Sequence, residues 1–208
     1  MRVCGALLAA TAITLGATTA MAIEEAAYTV TTRDGAFEVR DYAPQVVAET
    51  LVEASLGEAG NKAFKRLFGY ISGGNRTQQK VAMTAPVVQE PRGETIAMTA
   101  PVSQQRAEGQ WAVSFTMPSS FTLETLPEPE DPLVVLRQVP ARRMAAVRYS
   151  GTWSERGYLR NLEKLESWMR AKGLAPAGEP VWARYNAPFS IWFLRRNEIL
   201  VPVATGAD

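Results

Sequence analysis

Between Trp111 and Met117, the apolar side chains Trp111, Val113, Phe115 and Met117 alternate with the small or polar Ala112, Ser114 and Thr116, a period of two that predicts a half-buried strand. Phe37-Glu38-Val39-Arg40 alternates apolar with charged residues, Pro44 interrupts it, and Val46 to Val52 resumes as an extended apolar run. Two adjacent strands are expected there. The period then changes. Leu56, Ala59, Ala63, Phe64, Leu67 and Ile71 recur at helical spacing behind the capping-box pattern Ser55-Leu56-Gly57-Glu58, which predicts a helix from Leu56 to Ile71 closed by Gly73-Gly74. A second helix opens at Ser154, carries Tyr158, Leu162, Leu165 and Met169 on one face, and stops at Gly173.

The strands around that second helix repeat the earlier plan. Leu133 to Arg137 precedes Pro140, Met144 to Tyr149 is extended, and Val181 to Tyr185 and Ile191 to Val203 supply the last strands. Arg40 and Arg137 occupy matching places ahead of Pro44 and Pro140, so the chain reads as an architectural duplication with little residue identity between its halves. Residues 118–132, rich in Pro and acid, read as a solvated linker between them. The expected fold class is α+β, a single antiparallel domain over residues 23–208 in which each half contributes a sheet and a helix, with a groove between helix and sheet.

One stretch stands apart from these periodicities. Val81-Ala82-Met83-Thr84-Ala85-Pro86-Val87 returns fifteen residues later as Ile96-Ala97-Met98-Thr99-Ala100-Pro101-Val102, with six of seven positions identical and a polar turn segment, Gln89 to Glu94, between. Two apolar strands joined by a turn are predicted. Both copies place a flexible Met and a small Thr-Ala pair before a Pro, where an ordinary strand would use Val, Ile or an aromatic residue. Such a wall leaves room beside it and suits a ligand groove.

Composition narrows the chemistry. The first 22 residues combine Arg2, an uncharged apolar run from Val3 to Gly16 and the A-x-A site Ala20-Met21-Ala22, the pattern of a secretory signal peptide. The apolar run is short for a membrane span, and a soluble protein exported to the periplasm or the extracellular space is expected. Of 22 basic and 21 acidic residues that segment removes only Arg2, which leaves 21 against 21 and no net charge to steer the chain toward nucleic acid or an anionic membrane. It also removes Cys4, the one cysteine, and the chain has no histidine. His-based triads, Cys–His dyads and the usual Zn and Cu sites are thereby excluded, and no carboxylate pair stands out to replace them, so a non-enzymatic binding role is expected.

Candidate binding residues follow from these patterns. In the first helix Phe64 and Phe68 form a flat apolar stripe while Lys62, Lys65 and Arg66 lie on the same turns. An apolar wall with cations at its rim would suit a flat amphiphile whose acidic groups reach the edge, as well as an ordinary core stripe with a solvated basic flank. Tyr185 to Phe193 is a turn followed by a dense aromatic run; Trp192 or Phe193 is expected to be buried, and the Pro188-containing loop could equally cover the groove. Arg195 and Arg196 would then serve either an acidic group of the ligand or Glu198.

The M-T-A-P-V core, with Phe37-Glu38-Val39-Arg40-Asp41-Tyr42, Tyr70-Ile71-Ser72-Gly73-Gly74-Asn75 and Arg195-Arg196-Asn197-Glu198 in that order, resembles the SOUL haem-binding family over roughly residues 24–203. The resemblance implies a distorted β-barrel with two helices packed on it, and haem b or another porphyrin bound without a covalent link. It also implies that the first helix walls the site. Some members have a His at the position of Asp41 that has been regarded as an iron ligand; Asp41 is a poor axial partner, which leaves Met83, Met98, Tyr42 or Tyr70 as weak donors beside burial of the macrocycle. Asn61 and Gly69 stand where other members can be basic. The expected function is a tetrapyrrole carrier or buffer whose site draws on Asp41, Lys62, Phe64, Lys65, Phe68, Met83, Met98 and Trp192. A module for another flat amphiphilic molecule and a groove for an apolar peptide remain the alternatives.

Overall fold

The computed structural model describes residues 23–76, 93–187 and 189–204. The expected signal peptide, the first M-T-A-P copy with Met83, most of the turn segment after it, and Pro188 lie outside the described residues. The first half contains strands β1 (Tyr28–Asp34), β2 (Phe37–Tyr42) and β3 (Gln45–Val52), helix α1 (Leu56–Ile71), then β4 (Asn75–Arg76), β5 (Val102–Ala107) and β6 (Gln110–Thr116). The second contains β7 (Glu128–Pro129), β8 (Val135–Val139), β9 (Arg142–Tyr149), helix α2 (Glu155–Ala171), β10 (Val181–Arg184) and β11 (Asn197–Pro202).

Nine of these strands form one curled antiparallel sheet in the order β1-β2-β9-β11-β10-β5-β6-β3-β8, a half-barrel that makes the domain α+β as expected. Apart from β1 the order is a palindrome. Exchanging β2 with β8, β3 with β9, β5 with β10 and β6 with β11 reverses the sheet onto itself, so the halves are pseudo-symmetric about the β5–β10 seam. At that seam Gln104 faces Trp182 and Val102 faces Arg184. Each half also lends a strand to the other: β2 pairs with β9, and β8 pairs with β3.

The alternation along the strands divides the core in two. Ala145 and Val147 of β9, Ile199 and Val201 of β11 and Trp182 of β10 join the buried faces of both helices, while Met144, Ala146, Leu200, Val181 and Ala183 form a smaller cluster with Tyr42 on the opposite face. Helix α1 runs over the expected residues and buries Leu56, Ala59, Ala63, Leu67 and Ile71; the Glu58 carboxylate accepts from the Ser55 hydroxyl at 2.9 Å. Helix α2 starts at Ser154, whose hydroxyl accepts from Gly157 N at 3.2 Å, and buries Tyr158, Leu165 and Met169.

Three expectations are corrected. The second M-T-A-P copy is not a strand: Ile96 is buried and donates its N–H to Ile71 O, the Thr99 hydroxyl donates to Thr116 O, and Ala100 bridges Glu25, so pairing in the sheet begins only at Val102 beyond Pro101. Residues 118–132 are more than a solvated linker. Leu126 is fully buried in the core beneath them, the Tyr70 hydroxyl donates to Pro127 O at 3.0 Å, and Arg66 pairs with Asp131 at 3.0 Å. Last, Ile191 does not open a strand, because Trp192–Leu194 coils into one exposed 3-10 turn and β11 starts at Asn197.

On the face away from the helices Glu198, with no solvent exposure, ties three elements together. It accepts from Arg40 Nη1 at 2.6 Å and Nη2 at 3.1 Å, from Arg196 Nε at 2.9 Å and from the Tyr185 hydroxyl at 2.9 Å. Burial alone would raise the Glu198 pKa, but the hydrogen bonds and charge of Arg40, followed by Arg196, outweigh it and hold the carboxyl below its ordinary 4.5. The stabilisation is therefore present above the ordinary carboxylate range and is lost as pH falls through the depressed folded value.

Urea unfolding should show Glu198→Gln destabilised by roughly 3–5 kcal/mol, since the buried Arg40 guanidinium loses its fully buried counter-charge and keeps only Glu38. Asp41→Asn, at a half-exposed pair, should stay within about 1 kcal/mol of the parent. Leu126→Ala should cost roughly 2–5 kcal/mol by the same measurement, whereas a solvated linker residue would cost almost nothing.

Candidate functional site

Helical spacing places Gly60, Asn61, Phe64 and Phe68 of α1 on neighbouring rows of one face. Opposite them run Met98, Thr99, Ala100 and Val102 of the segment leading into β5. Trp153 comes from the loop before α2, Arg184 from the end of β10, and Tyr185 to Ala187 with Phe189 from the loop that follows it. Together with Ile23 these residues enclose a cavity of about 530 Å³ whose wall is dominated by carbon. Both halves of the sheet contribute, and the floor is the end of the β5–β10 seam.

Phe64 and Phe68 stack with ring centroids 5.6 Å apart and planes 12° from parallel, and Phe64 also leans on Phe115 of β6 at 5.5 Å. Phe64 thus belongs to the core on one side and to the cavity on the other. Phe68 is 45% exposed and has no such support. Met98 contributes the one thioether on the described wall. The Tyr185 hydroxyl is committed to Glu198, and burial together with the charge of Glu198 pushes its pKa far up, so it stays a neutral donor.

The other sequence candidates are placed elsewhere. Lys62 and Lys65 are exposed and line no part of the cavity, although Lys65 follows Asn61 by one helical turn and so stands toward its rim. Asp41 is held by Arg143 through bonds of 2.7 and 2.9 Å and does not line the cavity; Arg143 holds its carboxyl below the usual range. Trp192 is exposed, packs edge-on against Phe193 and does not line the cavity, which overturns the expectation that one of the two is buried. Phe189, the most exposed aromatic at 92%, is the member of that loop that does line it. Tyr42 and Tyr70 are buried and engaged by Arg40 and by Pro127 O, away from the cavity wall. Arg196 is spent on Glu25 and Glu198.

Arg184 and Trp153 were not among the sequence candidates. The available signal was the alternation Val181-Trp182-Ala183-Arg184, which puts Arg184 on the same strand face as a buried Trp. An arginine at a core-facing strand position needs an explanation. Among the described residues no group of three or more His, Cys, Asp or Glu is arranged to hold a metal ion.

Known proteins place this geometry in a family. Residues 23–202 match the family described as SOUL heme-binding protein. Mouse heme-binding protein 2 is 25% identical over 174 residues, covering 79% of this chain and 80% of that protein. Two solved structures from Listeria innocua share the fold at low identity. One, titled a hydrolase, is 10% identical with a TM-score of 0.53 and covers 84% of this chain and 94% of that chain. The other, titled an uncharacterized conserved protein, is 11% identical with a TM-score of 0.54 and covers 81% of this chain and 92% of that chain. With the matched region running from the first described residue through the last strand, the chain belongs to the SOUL heme-binding protein family.

Proposed function

We propose that this protein is a non-catalytic carrier or buffer for a tetrapyrrole, haem b or another porphyrin, exported to the periplasm or the extracellular space and binding its ligand in the cavity against α1. The observation that carries this reading is the stacked Phe64–Phe68 pair forming one wall of a largely apolar space of about 530 Å³. That volume lies within the range of pockets that bury most of a drug-sized molecule. Flat aromatic walls suit a flat macrocycle through apolar burial and offset stacking.

The residues present fit the group in two respects. Phe64, Phe68, Val102 and Trp153 supply apolar surface for the ring, and Arg184 supplies a cation at the wall for its acidic substituents. They offer no imidazole or thiolate to iron, and the soft donor at hand is the Met98 thioether. Burial of the macrocycle is then the main source of affinity, with the iron a minor one. Family membership and the likeness to mouse heme-binding protein 2 support a tetrapyrrole over other flat amphiphiles, which the same wall would also accept. Among the described residues no helix is long and apolar enough to cross a membrane.

Titration of the purified protein, followed by the Soret band and by tryptophan quenching, should give dissociation constants for haem and metal-free protoporphyrin within about tenfold, a gap of roughly 1.4 kcal/mol. A haem preference of several hundredfold would show that a protein ligand to iron dominates. Phe68→Ala should weaken both ligands while costing well under the roughly 3–5 kcal/mol of a fully buried Phe, because nearly half of its surface is already in solvent. Phe64→Ala should lose both binding and stability, since its ring also supports Phe115.

A further inference from the structure

We infer that Arg184 is a ligand-binding residue whose guanidinium is the counter-charge for a carboxylate on the bound molecule, so that the site selects acidic flat amphiphiles over their neutral esters. This deepens the tetrapyrrole reading and rests on it for the location of the ligand.

Two other arginines drawn into the fold are each matched with two carboxylates, Arg40 with Glu38 and Glu198 and Arg196 with Glu25 and Glu198, whereas Arg142, which does not line the cavity, is half-buried with an Nε unpartnered among the described residues. Arg184 is 8% exposed, yet among the described residues no carboxylate lies within ion-pairing distance of it. Among the described residues its Nε has no hydrogen-bond partner, and Nη2 donates one long bond of 3.3 Å to Gln104 Oε1, an amide that cannot neutralise charge. Burying a cation in this way is costly unless something pairs with it.

What surrounds the guanidinium holds it in place without neutralising it. Its central carbon lies 4.0 Å from the Trp182 ring centroid and 4.7 Å from that of Trp153, so two indoles make cation–π contact with it. Arg195 lies 4.5 Å from the same Trp153 ring, which adds positive potential to the site. Tyr149, which favours the Arg184 charge, has its own phenol pushed up to about 12 by burial and is neutral at pH 7. Burial lowers the Arg184 pKa to about 10, with Tyr149 opposing and Arg195 reinforcing the shift; at neutral pH the group remains a cation.

Helix α1 is shaped around it as well. A Cβ on Gly60 would sit 2.6 Å from Arg184 Nη1, so a glycine stands mid-helix, where it is less favourable than alanine, and the guanidinium occupies the space thus opened. A guanidinium that lines an apolar cavity, touches two indoles and is short of acceptors is matched to a carboxylate, which its planar fork can bind through paired hydrogen bonds.

The test compares protoporphyrin IX with its dimethyl ester, which keeps the macrocycle and removes both negative charges, by tryptophan quenching at pH 7. The parent protein should bind the acid roughly 10- to 100-fold more tightly than the ester, the range expected for a charge-assisted hydrogen bond. Arg184→Met should bring the two together by weakening the acid while leaving the ester nearly unchanged, and Arg184→Lys should restore part of the preference. Gly60→Ala, which leaves Arg184 in the chain and displaces its guanidinium, should lower the preference in the same direction. Equal binding of acid and ester by the parent, or a preference that survives Arg184→Met in a folded variant, would make Arg184 a structural wedge between the two indoles and overturn the inference while leaving the tetrapyrrole site intact. Failure of the parent to bind either porphyrin would instead remove the tetrapyrrole reading itself, and the inference with it.

Discussion

The β5–β10 ladder is the constraint on which the molecule turns. Four residues of each strand, Val102 to Gln105 and Val181 to Arg184, join the two halves of the sheet, and both helices lie on the side of the sheet where Trp182 is buried. Gln104, opposite Trp182, donates to Leu56 O at the first turn of α1, which fixes the start of that helix relative to the seam. Arg184 ends the same ladder beneath Gly60. Moving the register by one residue would carry Trp182 and Arg184 to the opposite face together and leave α1 without the surface it packs on.

The opposite face solves a different problem. Small residues such as Ala146 and Ala183 let the sheet curl, and the cluster there is too small to hold the N-terminal strands by apolar contact alone. Buried charge takes over that role. Glu198 draws Arg40 from β2 and Arg196 from the end of the cavity loop onto one carboxylate, and Arg40 lies 4.4 Å from the Tyr28 ring of β1. The geometric demands of such a network specify one arrangement of these strands more sharply than apolar packing would. Through Arg196 and Tyr185 the same carboxylate anchors the loop that carries Phe189 to the cavity.

Much of this was legible wherever a periodicity was strong. Helix α1 runs over its predicted residues because its apolar spacing and its Ser55–Glu58 box agree, and β6 was visible in the alternation from Trp111. Phe64, Phe68 and Met98 were singled out from pattern or resemblance, and all three line the cavity. Strand β1 was missed because an exposed edge strand such as Tyr28–Asp34 carries no buried face to create a pattern. The burial of Leu126 was masked by the acids and prolines around it. Trp192 and Phe193 misled in the other direction, since aromatic density reports burial only when the backbone turns it inward, and a 3-10 turn turns it out. Arg184 was overlooked because a charged residue in a short strand reads as solvent-facing until its neighbours show otherwise.

The strands that the halves lend each other carry a consequence for the integrity of the domain. A cut in the stretch between β6 and β7 would yield two fragments, each with its helix but each lacking the strand, held by the other, that completes its own sheet. Neither fragment is a self-sufficient unit, and recovery of the fold requires that they complement one another. The cavity draws Phe64, Met98 and Val102 from one fragment and Trp153, Arg184 and Phe189 from the other, so it exists only in the reunited pair. A molecule bound there would act as a non-covalent staple across the seam, with mass action tying its occupancy to the cohesion of the halves: at a hundred times its dissociation constant it would add about 2.7 kcal/mol to their union.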